Sequence, residues 1–106
     1  MSIPDTTSIQ GFTEHGFLAN IDGEIVEVRY DDITSIRIET TNQGPFLPDC
    51  FWIVETERVT ITLENDDPSF TMLLPKLQDL PGFNNKAVIL AMGSVDHAGF
   101  LVWEKD

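Results

Sequence analysis

With 106 residues and a single cysteine, the chain is the length of one domain and can form no internal disulfide. Hydrophobic residues at 42% suffice for a packed core and exclude a disordered chain. Eighteen Asp and Glu against six Lys and Arg give a formal net charge of −12, a field that repels nucleic acid and anionic membrane.

The charge is uneven. Residues 1–67 hold fourteen acids and three bases, a balance of −11, whereas residues 68–106 hold four acids and three bases, a balance of −1. The longest wholly apolar stretch, Ala87 to Met92, is far short of the roughly 20 residues that a membrane span needs. Met1-Ser2-Ile3-Pro4-Asp5 has neither the basic nor the apolar region of a signal peptide. Cys50, inside Cys50-Phe51-Trp52-Ile53-Val54, reads as a buried thiol in a reducing compartment. The expected location is the cytoplasm.

Residues 1–10 are polar and read as a flexible N-terminus, with residues 11–106 forming one domain. Gly16–Ile21, Asp22-Gly23 and Glu24–Tyr30 read as a β-hairpin, because Asp-Gly tolerates the positive φ angles of a tight primed turn. In its second strand Val26, Val28 and Tyr30 share one face, and Glu27 and Arg29 the other. Asp31–Ser35 predicts a turn or a single helical turn. Ile36–Thr41 alternates as a strand, and Asn42–Pro45 breaks it. Phe51–Glu55 is apolar on both faces, which places it centrally in the sheet. Arg58–Glu64 alternates again, with Val59, Ile61 and Leu63 inward.

The period then changes. Asp66-Asp67-Pro68 signals a helix start, and Phe70, Leu73, Leu74 and Leu77 recur at helical spacing. Pro75 leaves three readings open: a kinked helix, a second short helix opening at Pro75, or a strand over Ser69–Leu74 hairpinned to Val59–Leu63. The helical reading is preferred. Asn84 caps a second helix, Asn85–Met92, with Val88, Ile89 and Met92 as its apolar side and Gly93 ending it in the left-handed conformation. Gly99–Glu104 closes as a strand, with Phe100 and Val102 opposite in phase to Leu101 and Trp103. The expected fold is α+β: a mostly antiparallel sheet of about six strands, with two short helices before the last strand packed on one face. Ile38, Phe51, Ile53, Ile61, Leu77, Val88 and Val102 are expected in one core.

Two stretches carry a resemblance. One contains Thr40-Thr41, Gly44-Pro45-Phe46 and Phe51-Trp52; the other contains Leu80-Pro81-Gly82-Phe83-Asn84-Asn85, Ala91-Met92-Gly93-Ser94 and Phe100-Leu101-Val102-Trp103-Glu104. They resemble a group of small bacterial proteins without an established activity, so the resemblance implies no catalytic residue. Tyr30-Asp31-Asp32-Ile33 with Ile36 also resembles a step of bacterial pleckstrin-homology-like domains, which end in a long helix where this chain predicts a strand.

No catalytic or cofactor motif stands out. Cys50 with His97 and Asp96 is the best nucleophile set on paper, but an apolar strand raises a thiol's pKa, and neighbours such as Asp96 and His97 rarely face each other. Asp31-Asp32 and Asp66-Asp67 lack the spacing of a calcium loop, and His15 and His97 lack zinc-ligand spacing; capping and loop roles explain them better. Gly44-Pro45 and Gly93-Ser94 belong to no phosphate loop, and Ser94 lacks a nucleophile-elbow context. Trp52 and Trp103 read as core, or as interface anchors if they lie on an open face.

The expected function is a non-enzymatic interaction protein without cofactor or metal. It would bind a basic protein as bacterial immunity proteins and antitoxins do, with carboxylates standing in for phosphates. Candidate contacts are Glu24, Glu27, Asp31, Asp32, Glu39, Glu55, Glu57 and Glu64, with Glu27 and Glu39 foremost because alternation turns both outward. The alternative is a small-ligand or peptide-binding module with an apolar pocket of Phe51, Trp52 and Phe100. Neither nucleic acid nor membrane is an expected partner.

Overall fold

Asp22-Gly23 organises the first sheet. In the computed structural model, which describes residues 7–41, 50–93 and 98–105, both adopt positive φ, 53° and 90°. This two-residue turn joins β2 (Gly16–Ile21) to β3 (Glu24–Arg29) and sets Ile21 opposite Glu24 and Gly16 opposite Arg29. The register turns Phe17, Ala19 and Val28 to one buried face. Gly16 permits the close pairing, since a Cβ there would lie 2.0 Å from the Val28 carbonyl oxygen.

β1 (Ser8–Phe12) pairs antiparallel with β2, so residues 8–10 are strand and not the flexible terminus expected. A bulge at Gln10 brings Ile9 and Phe12 opposite Ala19 and Phe17. Two inward residues three apart do not read as period two, which hid the strand.

Tyr30–Asp32 forms a single 3₁₀ turn, and the chain enters a second sheet. Its strands are β4 (Ile33–Thr40), β5 (Cys50–Thr56), β6 (Thr60–Glu64) and β7 (Ala98–Glu104), in the order β6-β5-β4-β7, each pair antiparallel. The fold is thus α+β as expected, but with seven strands in two sheets rather than about six in one. The 3₁₀ turn is the reason: it redirects the chain after β3 where a tight hairpin would have paired β3 with β4.

α1 (Pro68–Gln78) starts at Asp67, whose carboxylate accepts from the Ser69 amide at 2.9 Å and the Ser69 hydroxyl at 2.7 Å. Pro75 lies inside this helix on its exposed side, where the Thr71 carbonyl that loses its bond can meet water. α2 (Asn85–Met92) is capped by Asn84, which accepts from the Ala87 amide. Its inward side is Ala87 and Ala91 with half-buried Val88, while Ile89 is 71% and Met92 45% exposed. The expected apolar side of Ile89 and Met92 is therefore turned to solvent, because α2 meets β7 and β4 with its small residues. Gly93 ends the helix in the right-handed conformation, φ −90°, not the left-handed one.

One core joins both sheets and α1, with Trp52 at its centre. The Trp52 ring lies 4.8 Å from that of Phe70, stacks on Phe83 at 6.5 Å, and donates its N–H to Asn65. Ile38, Ile61, Leu77 and Val102 belong to this core, and Val88 packs on it. Phe51 and Ile53 are buried but lie on the opposite face of β5, because side chains alternate along a strand. Trp103 also departs from simple alternation. A bulge at Val102 sets Trp103 opposite Ile36, so both Val102 and Trp103 reach the core side. Among the described residues, no helix is long and apolar enough to cross a membrane.

Candidate functional site

The eight carboxylates singled out above separate into two environments. On the outer face of the second sheet, Arg37 on β4 holds two of them. Its guanidinium donates to Glu55 on β5 at 2.6 Å and lies 3.5 Å from Glu39. The Glu55 hydrogen bond is the main reason that Arg37 is held above its ordinary pKa, with the charges of Glu39 and Glu55 adding to it. Glu64 stands nearby, opposite buried Phe51.

The other group gathers at β3. Glu24 and Glu27 are exposed on the strand, Asp31 and half-buried Asp32 sit in the 3₁₀ turn, and exposed Glu57 lies in the β5–β6 turn. Among the described residues none of these five is ion-paired. Val26–Arg29 and Asp32 form one wall of a narrow groove, and Thr56, Arg58 and Val59 form the other; its volume is about 80 Å³. Arg29 and Arg58 thus join Glu27 and Asp32 along it.

The backbone of β3 adds a second property. Tyr30 donates its amide to the His15 carbonyl, in phase with the pairing of Glu24, Val26 and Val28 to β2. Ile25, Glu27 and Arg29 therefore point their amides and carbonyls away from β2, and no described residue bonds them. Elsewhere the Thr62 carbonyl on β6 accepts from the Thr7 amide, the Val102 carbonyl on β7 accepts from the Asn84 amide, and α1 packs near β1.

A wider cleft of about 270 Å³ is lined by Tyr30, Asp31, Leu80, Pro81, Trp103 and Lys105. Two of its donors are engaged internally: the Trp103 indole donates to the Pro81 carbonyl and the Lys105 ammonium to the Asp31 carbonyl, each at 2.8 Å. Among the described residues the buried Tyr30 hydroxyl meets no hydrogen-bond partner, and burial raises its pKa.

Phe51, Trp52 and Phe100 do not line a common pocket. Trp52 is fully buried in the core, Phe100 packs beside it, and Phe51 is on the other face of β5. Cys50 is buried on the core side, while Asp96, His97 and Ser94 lie outside the described residues. Asp67 is occupied as a helix cap, and exposed His15 lies in the β1–β2 turn. Among the described residues, no three His, Cys, Asp or Glu side chains are grouped to hold a metal ion.

Sequence reasoning named Glu27 and Asp32 but missed Arg29, Arg58 and the open edge of β3. The alternating run Glu24–Arg29 signals a strand but carries no sign of whether one or two neighbours flank it. Comparison of the chain with protein-family models, curated proteins and solved structures finds no match.

Proposed function

We propose that the chain is a non-enzymatic, acidic interaction protein that binds a basic protein, in the manner of immunity proteins and antitoxins. One observation carries this reading: Glu27 and Asp32 line the groove beside β3, Glu24, Asp31 and Glu57 lie on β3 or in the adjoining turns, and among the described residues none of the five is held in an ion pair, although Arg29 and Arg58 share the groove. Unpaired, solvated carboxylates cost nothing to desalt from an internal partner and steer a cationic surface at long range. Glu39 and Glu55 contribute less, since Arg37 already offsets them. The same charge favours solubility, so the test must separate binding from bulk repulsion.

The test is capture from native lysate at low and high salt, followed by association kinetics with the captured protein. The expected partner is basic, and its association is faster than about 10⁵–10⁶ M⁻¹s⁻¹ at low salt. Reversing Glu24 and Glu27 to Lys should slow association several-fold and flatten its salt dependence, with Glu39→Lys weaker in both respects. A partner retained equally at high salt, with rates indifferent to these reversals, would sink the reading.

A further inference from the structure

We propose that the free edge of β3 receives an extended basic segment of the partner, which adds as a fourth strand beside β1-β2-β3 and lies in the groove against the β5–β6 turn. This rests on the reading above and specifies how the partner is held.

Three observations converge. First, Ile25, Glu27 and Arg29 each offer an outward donor and acceptor that no described residue uses, whereas the outer edges of β6 and β7 each accept a backbone amide, from Thr7 and Asn84. An open strand edge is a template for another strand. Second, β3 has no proline, no lysine and no bulge along its register with β2, so its edge is regular, and its charged residues Glu24, Glu27 and Arg29 select among guests. Third, the groove runs beside that edge, with Thr56, Arg58 and Val59 as a second wall.

The side chains define the guest. Ile25, Glu27 and Arg29 project on the outer face, and Glu24, Val26 and Val28 on the inner one. Ile25 is 55% and Val26 36% exposed, so both faces of the edge offer apolar surface to an added strand. A cation on the guest pairs with Glu27, while an apolar residue on its other face packs on Val26. Within the groove Glu27 and Asp32 are balanced by Arg29 and Arg58, but Asp22, Glu24, Asp31 and Glu57 surround it with negative charge. That excess attracts a basic segment. It disfavours a second copy, which carries the same negative excess, and a pairing of two β3 strands centred on Glu27 would set that carboxylate against its equivalent.

The probe is a capped seven-residue peptide alternating Lys and Val, added to the full chain at low salt and followed by amide NMR and anisotropy. The peptide should slow hydrogen exchange at Ile25, Glu27 and Arg29, and leave Val26 and Val28, already bonded to β2, unchanged. Glu27→Pro removes one outward amide and spares the bonds to β2; it should weaken binding at least tenfold. A peptide with N-methyl groups on alternate residues should fail against the native chain, which tests the same point without a variant. If the peptide binds, Glu27→Lys weakens it, but Glu27→Pro and N-methylation have no effect, strand addition is wrong and the charge reading stands. If the peptide does not bind even at low salt, strand addition fails and the charge reading loses its support as well. Concentration-dependent protection of the same amides without peptide would make a second copy the occupant and overturn the proposal.

Discussion

Glu27 and Arg29 on β3 have the same spacing as Arg37 and Glu39 on β4, and the same two residues on the outer face of a sheet, yet their environments differ. β4 is an inner strand, so β5 supplies Glu55, a diagonal neighbour opposite Ser35, and a three-residue ion-pair cluster forms around Arg37. β3 is an edge strand, and the residue opposite Arg29 is Gly16, which has no side chain. Neighbouring strands convert charges into structure on one sheet and leave them available on the other. Burial follows the same division: Cys50 to Val54 on β5 are all buried, whereas Val28 alone is buried on β3.

The largest expected effect tests that division directly. Trp52→Ala should cost about 3–5 kcal/mol, the usual range for removing a buried aromatic, while Ile25→Ala on the edge should stay within about 0.5 kcal/mol. Denaturant melts of both variants would check it; similar losses would mean that the edge is covered. Gly16→Ala should come next, at about 2–3 kcal/mol, because its new methyl meets the Val28 carbonyl rather than a side chain that can swing away. Intact stability there would show that β2 and β3 can separate without loss. Arg37→Ala should be the smallest, about 0–1 kcal/mol, since its partners are more than a third exposed and screened by solvent. The effect should shrink with salt. Because Arg37 is held above its ordinary pKa, its contribution is lost as strongly alkaline pH passes the folded value, and acid that protonates its carboxylate partners removes the pairs as well. A titration showing Arg37-dependent stability lost near neutrality would contradict the assigned ion pairs.

Much of the local structure was legible from particular residues. Asp22-Gly23 required the hairpin, Asp67 and Asn84 marked both helix starts, and the unbroken apolar run after Cys50 indicated an inner strand. Elements that depend on a bulge were not: Gln10 and Val102 each insert one residue, so β1 escaped notice and Trp103 was assigned to the wrong face. Likewise the candidate acids could be named by alternation, but Glu39 and Glu27 were indistinguishable until Arg37 was seen to meet Glu55 across the strands.

The α+β class, the acidic balance of the first two thirds and the turn chemistry follow from local pattern, because propensity, periodicity and charge are carried by neighbouring residues. Tertiary structure alone decided that there are two sheets, that Phe51 and Ile53 lie apart from the main core, and that α2 buries Ala87 and Ala91 rather than Ile89. It also left the outer edge of β3 without a neighbour among the described residues. These outcomes depend on which distant segment arrives beside each strand and helix, and backbone pairing and side-chain burial across such distances leave no periodic mark on the chain.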